Sequence, residues 1–276
     1  MENYSRPVSS CYPNIKKESL ERSFPMLSFT YTSNKRLLPP VFSGSTLKFI
    51  ALITMLIDHI GAVFLEKGVI SAYNQGLPSA LSYEESLFFS NLDQILRNIG
   101  RIAFPIFCFL LVEGFFHTSN RAKYAQRLFL FALLSEVPFD LAFNYSFLET
   151  SYQNVMFTLL FGFLTIWAME KARELHPALL FLPALLGLGA GWLFHGDYNW
   201  KGILLIIVLY LFYAYPLEKT IAGCICLLWE PWALLAFIPI NLYNQKKGQG
   251  LKYLFYFFYP AHLLALFLLR YLLFRI

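Results

Sequence analysis

Apolar residues run almost unbroken through eight stretches, at about 47–66, 94–116, 125–144, 154–169, 178–194, 201–215, 218–242 and 252–273, with short polar links between them. Roughly 20 apolar residues in a helix span the ~30 Å hydrocarbon core of a bilayer. In lipid a segment must satisfy its own backbone hydrogen bonds, so each run predicts a helix. The pattern therefore predicts an all-α, polytopic transmembrane bundle of about eight spans, or eight to ten if one is broken. The seventh run is interrupted by Trp229-Glu230-Pro231-Trp232. Pro231 bars a regular helix there, so a single crossing and a re-entrant pair of half-helices both fit. Ahead of the runs, residues 1–46 are polar, rich in Ser and Pro, and without helical periodicity. They read as a disordered cytoplasmic tail, and with no apolar h-region they are no signal peptide. The membrane domain is expected over 47–276.

Composition strengthens this reading. Of the 276 residues 57% are hydrophobic, 18% aromatic and only 14% charged, with a mean hydropathy of +0.52, whereas a soluble domain carries about 25% charged residues. The net charge is +5, and its placement sets the orientation. Basic residues fill the tail, the 117–127 link (Arg121, Lys123, Arg127) and the 170–177 link (Lys171, Arg173). The alternate links, 67–93, 145–153 and 195–200, hold Lys67 and otherwise mainly acidic or neutral residues. The positive-inside rule then predicts a multi-pass protein of an inner or cytoplasmic membrane with a cytoplasmic N-terminus. A single crossing at 218–242 would strand Lys246, Lys247 and Lys252 outside; a re-entrant pair would not. Cys11, Cys108, Cys224 and Cys226 show no paired zinc-binding spacing, so neither a metal nor a disulfide framework is expected.

Candidate chemistry lies where charge sits inside these runs. Asp58-His59 falls near the middle of the first run, where a carboxylate costs about 2.5 to 3.5 kcal/mol and usually faces a bundle interior or water-filled cavity. Arg97 and Arg101 lie four apart and so share a helical face, suiting a phosphate, a lipid headgroup or Asp58 itself. Glu113 and His117 repeat that spacing above the cationic strip of Arg121, Lys123, Tyr124 and Arg127, which is either ordinary positive-inside sequence or a seat for phosphates. Glu136 and Asp140 flank Pro138, which interrupts the helix ladder. Asn154 and Thr158 bring uncharged polar groups, Asn154 with the character of a helix cap. His262, two residues after Pro260, is either a cavity residue or a histidine bonded to a neighbouring helix. Gly187, Gly189 and Gly191 read as helix-packing positions, and the many Tyr and Trp as interface anchors.

Several blocks together resemble one family. Leu47–Gly61 with its Asp-His, Arg97–Gly114, His117-Thr118, Lys123-Tyr124, Arg127-Leu128, Ser135–Asp140, Asn154–Thr158, Leu242–Gly248 and Lys252–His262 resemble TraX proteins, in order, over about 47–270. Departures are the polar tail and Gln245, where a glycine is expected. The resemblance implies a membrane N-acetyltransferase that uses acetyl-CoA, as in acetylation of the pilin amino terminus during conjugation. The expected partners are acetyl-CoA, membrane lipid and a peptide, protein or small-molecule acceptor, with no nucleic acid. In that chemistry His59 is the base, and Asp58, one residue away and about 100° round the helix, pairs with an arginine of the second span. Glu113 or His117 orients the base or relays the proton, Arg97 and Arg101 hold Asp58 or polarise the carbonyl, and Arg121, Lys123 and Arg127 hold CoA phosphates. Glu136, Asp140, Asn154, Thr158 and His262 complete the expected donor site. On physics alone a proton-coupled transporter using the same carboxylates and histidines fits too, although no internal repeat supports it. An inert scaffold ranks below both.

Overall fold

The computed structural model describes residues 37–75, 82–249 and 252–275, all within one compact unit, Lys35–Ile276. Most of the expected tail lies outside the described residues. Those residues form nine helices and no β-strand: α1 (Gly44–Asn74), α2 (Tyr83–His117), α3 (Arg121–Phe143), α4 (Val155–Leu175), α5 (Pro177–Phe194), α6 (Asn199–Leu211), α7 (Pro216–Cys226), α8 (Pro231–Asn241) and α9 (Lys252–Phe274). Five helices, α1, α2, α4, α5 and the Tyr256–Phe274 stretch of α9, are long and apolar enough to cross a membrane. This is a membrane protein. Leu182, Leu185, Leu186, Trp192 and Leu193 on α5 are exposed, an outer face that water would penalise and lipid accepts.

The first two helices run further than the apolar pattern suggests. α1 continues past His59 as an i→i+5 wound stretch over Ile60–Ile70 and then closes with a short α turn. Such wide turns concentrate at functional sites, because they re-aim the side chains beside them. α2 begins at Tyr83, eleven residues before the expected 94, because Ser82 and Glu85 form a reciprocal capping box. The apolar run marks only the lipid-embedded part of each helix; the polar turns beyond it follow capping rules.

The seventh run is broken into two short helices rather than one continuous span, which is one of the two arrangements the sequence allows. α7 and α8 form a hairpin whose tip is the Trp229-Glu230-Pro231 break. Asn241 donates its amide to Thr220 Oγ1 at 3.0 Å, and Gly223 lies where a Cβ would strike the Phe237 ring. Both ends of the hairpin meet one carboxylate, since Glu113 accepts hydrogen bonds from Tyr213 at 2.8 Å and Tyr243 at 2.9 Å. The chain after α8 then laces onto the start of α1: the Asn244 N–H donates to the Phe42 carbonyl, and the Gly44 and Ser45 N–H groups donate to Lys246 and Lys247. Those carbonyls satisfy donors that a helix start leaves open. Gly248 makes the return at φ +72°, with Ser45 Oγ occupying the space of a Cβ. Lys246 and Lys247 therefore stay on the face where α1 begins.

α3, α4, α6, α8 and α9 pack on α1 or α2, whereas α5 lies outside them against α4 and α6. Gly187 and Gly191 of α5 let Thr165 of α4 and Ile203 of α6 approach closely, as expected of small packing positions, whereas Gly189 meets nothing within 4 Å. Buried Arg270 of α9 donates to the carbonyls of Ala142 at 2.6 Å and Leu141 at 2.9 Å, capping the end of α3. With the native cysteines replaced, Asn120→Cys and Gln249→Cys should label from one side of the membrane and Ser146→Cys from the other. Labelling of Gln249→Cys together with Ser146→Cys would mean that the seventh run crosses.

Candidate active site

The polar residues inside the bundle gather at two levels. Arg101 and Glu113 are twelve residues apart on α2, about 18 Å along the axis, and each belongs to a different cluster.

The first level is built on Asp58. It is 15% exposed at its side chain and accepts a hydrogen bond from Arg97 Nη1 at 2.7 Å. Gly100, on the next turn of α2, has no Cβ because the Asp58 side chain occupies that position. Asp58 Oδ1 is buried with no hydrogen-bond partner. Arg101 departs from the expectation that both guanidiniums converge on one anion: α2 tightens at Arg101-Ile102, and Arg101 Nε pairs at 2.9 Å with Glu230, carried in by the hairpin tip. Each arginine thus has its own carboxylate, as low dielectric demands of a buried cation. Tyr198 closes this side, stacked on Phe104 with centroids 3.6 Å apart. Beside it, in the link before α6, Asp197 accepts from the Tyr152 hydroxyl at 2.8 Å. Burial pushes the Asp197 carboxyl above the usual carboxylate range, against the opposing pull of Tyr152, Arg101 and Arg97.

His59 adjoins this pair. Its Nε2 lies 4.0 Å from Asp58 Oδ2, and its Nδ1 lies 2.6 Å from Nε2 of His262 on α9. Phe143 meets the His59 ring edge-on and Tyr259 flanks it. His262 is therefore bonded to a neighbouring helix, and the helix it bonds carries the Asp-His pair.

The second level holds Glu113 and His117, where the expectation placed a relay to His59. Glu113 is taken by Tyr213 and Tyr243. The His117 Nδ1 faces the Glu113 carbonyl at 2.8 Å, and its side chain is 46% exposed. Buried Lys219 lies over the Phe109 ring at 5.0 Å. Beyond them Arg121 sits 4.0 Å over Phe115, Lys123 is exposed, and Arg127 lies over Tyr124, itself packed on Gly114.

The remaining candidates tie helix ends together at the opposite end of the bundle from the basic strip. Asn154 caps α4 through Met156 N and donates its amide to the Ala132 carbonyl and to Glu136. Asp140 accepts from Asn144 at 3.1 Å and from the Glu149 N–H at 2.8 Å. Thr158 donates to the Asp197 carbonyl, holding the link that presents Asp197 and Tyr198.

Sequence reading did not assign Glu230, Asp197, Tyr152, Tyr198, Tyr213, Tyr243 or Lys219 to a site. Glu230 carried a usable signal, a carboxylate within an apolar run. The tyrosines carried none, since their hydroxyls find partners only in the folded bundle. Among the described residues no group of three or more His, Cys, Asp and Glu side chains is arranged to hold a metal ion.

A family model described as TraX protein matches residues 43–270. The probable fimbrial assembly protein FimC, serogroup H1, of Dichelobacter nodosus is 31% identical over 265 residues, covering 82% of this chain and 94% of that protein. No solved structure matches.

Two outcomes test the site's architecture. Arg97→Met should destabilise the protein by about 1–3 kcal/mol, because it leaves the half-buried Asp58 without its cation, and Asp58→Leu combined with it should recover most of that loss. Gly100→Ala should cost about 1–3 kcal/mol by driving a methyl group into Asp58. Equilibrium unfolding in mixed micelles reads both.

Proposed function

The chain belongs to the TraX family, and on that premise we propose that it is a membrane-embedded acetyltransferase moving an acetyl group from acetyl-CoA to an amine. The observation that carries the reading is the His59–Asp58–Arg97 constellation, an imidazole Nε2 held 4.0 Å from a carboxylate that a guanidinium fixes in place. The gap is too long for a direct hydrogen bond and takes the N–H groups of an acceptor amine between them.

In the reaction His59 Nε2 removes a proton from the attacking amine as its nitrogen bonds the thioester carbonyl carbon. The amine's second hydrogen rests on Asp58 Oδ2, the oxygen across that gap, which also accepts from Arg97. Arg97 and Arg101 supply the field that stabilises the oxyanion of the tetrahedral intermediate. The C–S bond then breaks, the amide forms, and the CoA sulfur leaves with the proton that His59 held.

The donor would enter from the face where α1 begins, with Arg121, Lys123, Lys246 and Lys247 toward its phosphates; we assign that face to the cytoplasm. Its thioester must then reach about 18 Å inward on a flexible arm, from the level of Glu113 to that of Arg101. Glu113 and His117 belong to the entrance rather than to the proton relay. The acceptor approaches from the other side, past the 144–154 and 195–198 links. A peptide amino terminus is its chemical class, in keeping with the pilin acetylation that the TraX resemblance implies and with the fimbrial assembly role in the relative's name.

Purified protein in nanodiscs, given acetyl-CoA, should release free CoA at least slowly by hydrolysis. His59→Ala should lower that rate by roughly 10²- to 10⁴-fold at unchanged thermal stability, and Arg101→Ala should lower it as well. Absence of both acetyl-CoA binding and thioester cleavage in a folded preparation would remove the donor and turn the site toward proton-coupled transport.

A further inference from the structure

Resting on that reading of His59 as base, we infer that His262 is the positioning residue that fixes which nitrogen of His59 is free to take a proton. The argument begins at a carbonyl. His262 Nδ1 lies 2.6 Å from the main-chain oxygen of Phe258, and a carbonyl oxygen only accepts. His262 Nδ1 therefore carries the hydrogen, and in a neutral ring its Nε2 is then a bare lone pair. That lone pair faces His59 Nδ1 at 2.6 Å, so His59 Nδ1 is the donor. One consistent assignment of the uncharged pair results: Nδ1–H on both rings, and Nε2 of His59 unprotonated.

Ring geometry supports a directed bond rather than a face-to-face contact. The planes are within 5° of one another and the centroids 4.9 Å apart, while the nearest nitrogens are 2.6 Å apart. The rings meet edge to edge in a common plane, the direction in which an N–H and a lone pair both point. The free Nε2 of His59 is also the nitrogen 4.0 Å from Asp58 Oδ2. The bond that sets the tautomer thus leaves the reactive nitrogen at the paired carboxylate.

His262 so performs the service that a buried aspartate performs in a Ser-His-Asp triad, holding the imidazole in one tautomer and one orientation. It differs in having no charge of its own. When His59 Nε2 takes the amine's proton, the resulting imidazolium keeps the same acceptor at Nδ1, so no group need reorient at the moment of transfer. The local backbone suits both ends. His59 closes the α-wound part of α1, immediately before the wider turns begin. Pro260, two residues before His262, removes one rung of α9.

The test combines a spectrum with two substitutions of different hydrogen-bonding character. In ¹⁵N-histidine spectra of the wild-type protein, with His59 assigned by difference against His59→Gln, His59 should carry its proton on Nδ1. His262→Gln, whose side-chain oxygen accepts, should keep that tautomer and hold kcat within about tenfold of wild type. His262→Leu, which cannot accept, should lose the single tautomer and lower kcat roughly 10²- to 10³-fold with KM little changed. A wild-type His59 protonated on Nε2, or a His262→Leu protein with wild-type tautomer and kcat, overturns the inference. If His262→Leu does not fold, the wild-type spectrum and His262→Gln decide. If the wild type cleaves no thioester, the acetyltransferase reading fails, while the spectrum still judges the relay.

Discussion

Two guanidiniums a helical turn apart on α2 cannot remain in a low-dielectric bundle unless each has a carboxylate, and the fold is arranged to bring those carboxylates in. Arg97 takes Asp58 from α1 and Arg101 takes Glu230 from the hairpin tip. The first pairing sets the rotation of α1, with Gly100 giving Asp58 the room to approach. The second goes with the break of an apolar segment into two packed short helices, since a straight helix through Pro231 would not deliver Glu230 in the same way. Once α1 is rotated to meet Arg97, His59, about 100° further round, is turned away from α2 and toward α9, where His262 receives it.

Much of this frame was legible in the chain. The cost of a carboxylate at mid-membrane singled out Asp58, and the ~100° between neighbours on a helix favoured an arginine from α2 over His59 as its partner. The Trp-Glu-Pro-Trp interruption and the lysines after it pointed to a re-entrant segment, although the run's length equally allowed a crossing. The partners were less legible because they are distant in the chain: 203 positions separate His59 from His262, and neither residue's neighbours encode the other. Periodicity assigns a residue to a face of its own helix but not to the helix it meets. The placement of Glu113 was within reach, since twelve residues of helix past Arg101 already put it on another level. Asn154 reads as a cap in the sequence and is one in the fold, because capping is decided by residues that are close in the chain.

The two levels divide the labour of the molecule. Near the start of α1 the polar groups are cationic or phenolic and partly open to solvent, around a carboxylate that two tyrosines hold. Deeper in, carboxylates and imidazoles are fixed by ion pairs and a ring-to-ring hydrogen bond, in surroundings that strengthen each of those contacts. On the proposed reading the cationic strip is where the donor's phosphates would lie, and the braced interior suits proton transfer, which depends on distance. The links at the far end, laced by the Tyr152–Asp197 and Thr158–Asp197 contacts, frame the site on the other side.

The hairpin also bears on how the protein is made. Because the chain enters and leaves it on one face, α9 starts on the face where α1 starts and ends on the other. With the starting face cytoplasmic, as proposed above, the distal end of α9 is carried across the bilayer during biogenesis, and Arg270 with it. An arginine travelling through lipid is costly on an isolated helix. In the finished bundle its guanidinium lies on the Leu141 and Ala142 carbonyls, acceptors that exist only after α3 has been laid down and has ended. The order of synthesis, α3 well before α9, thus prepares the dock on which the last charge comes to rest.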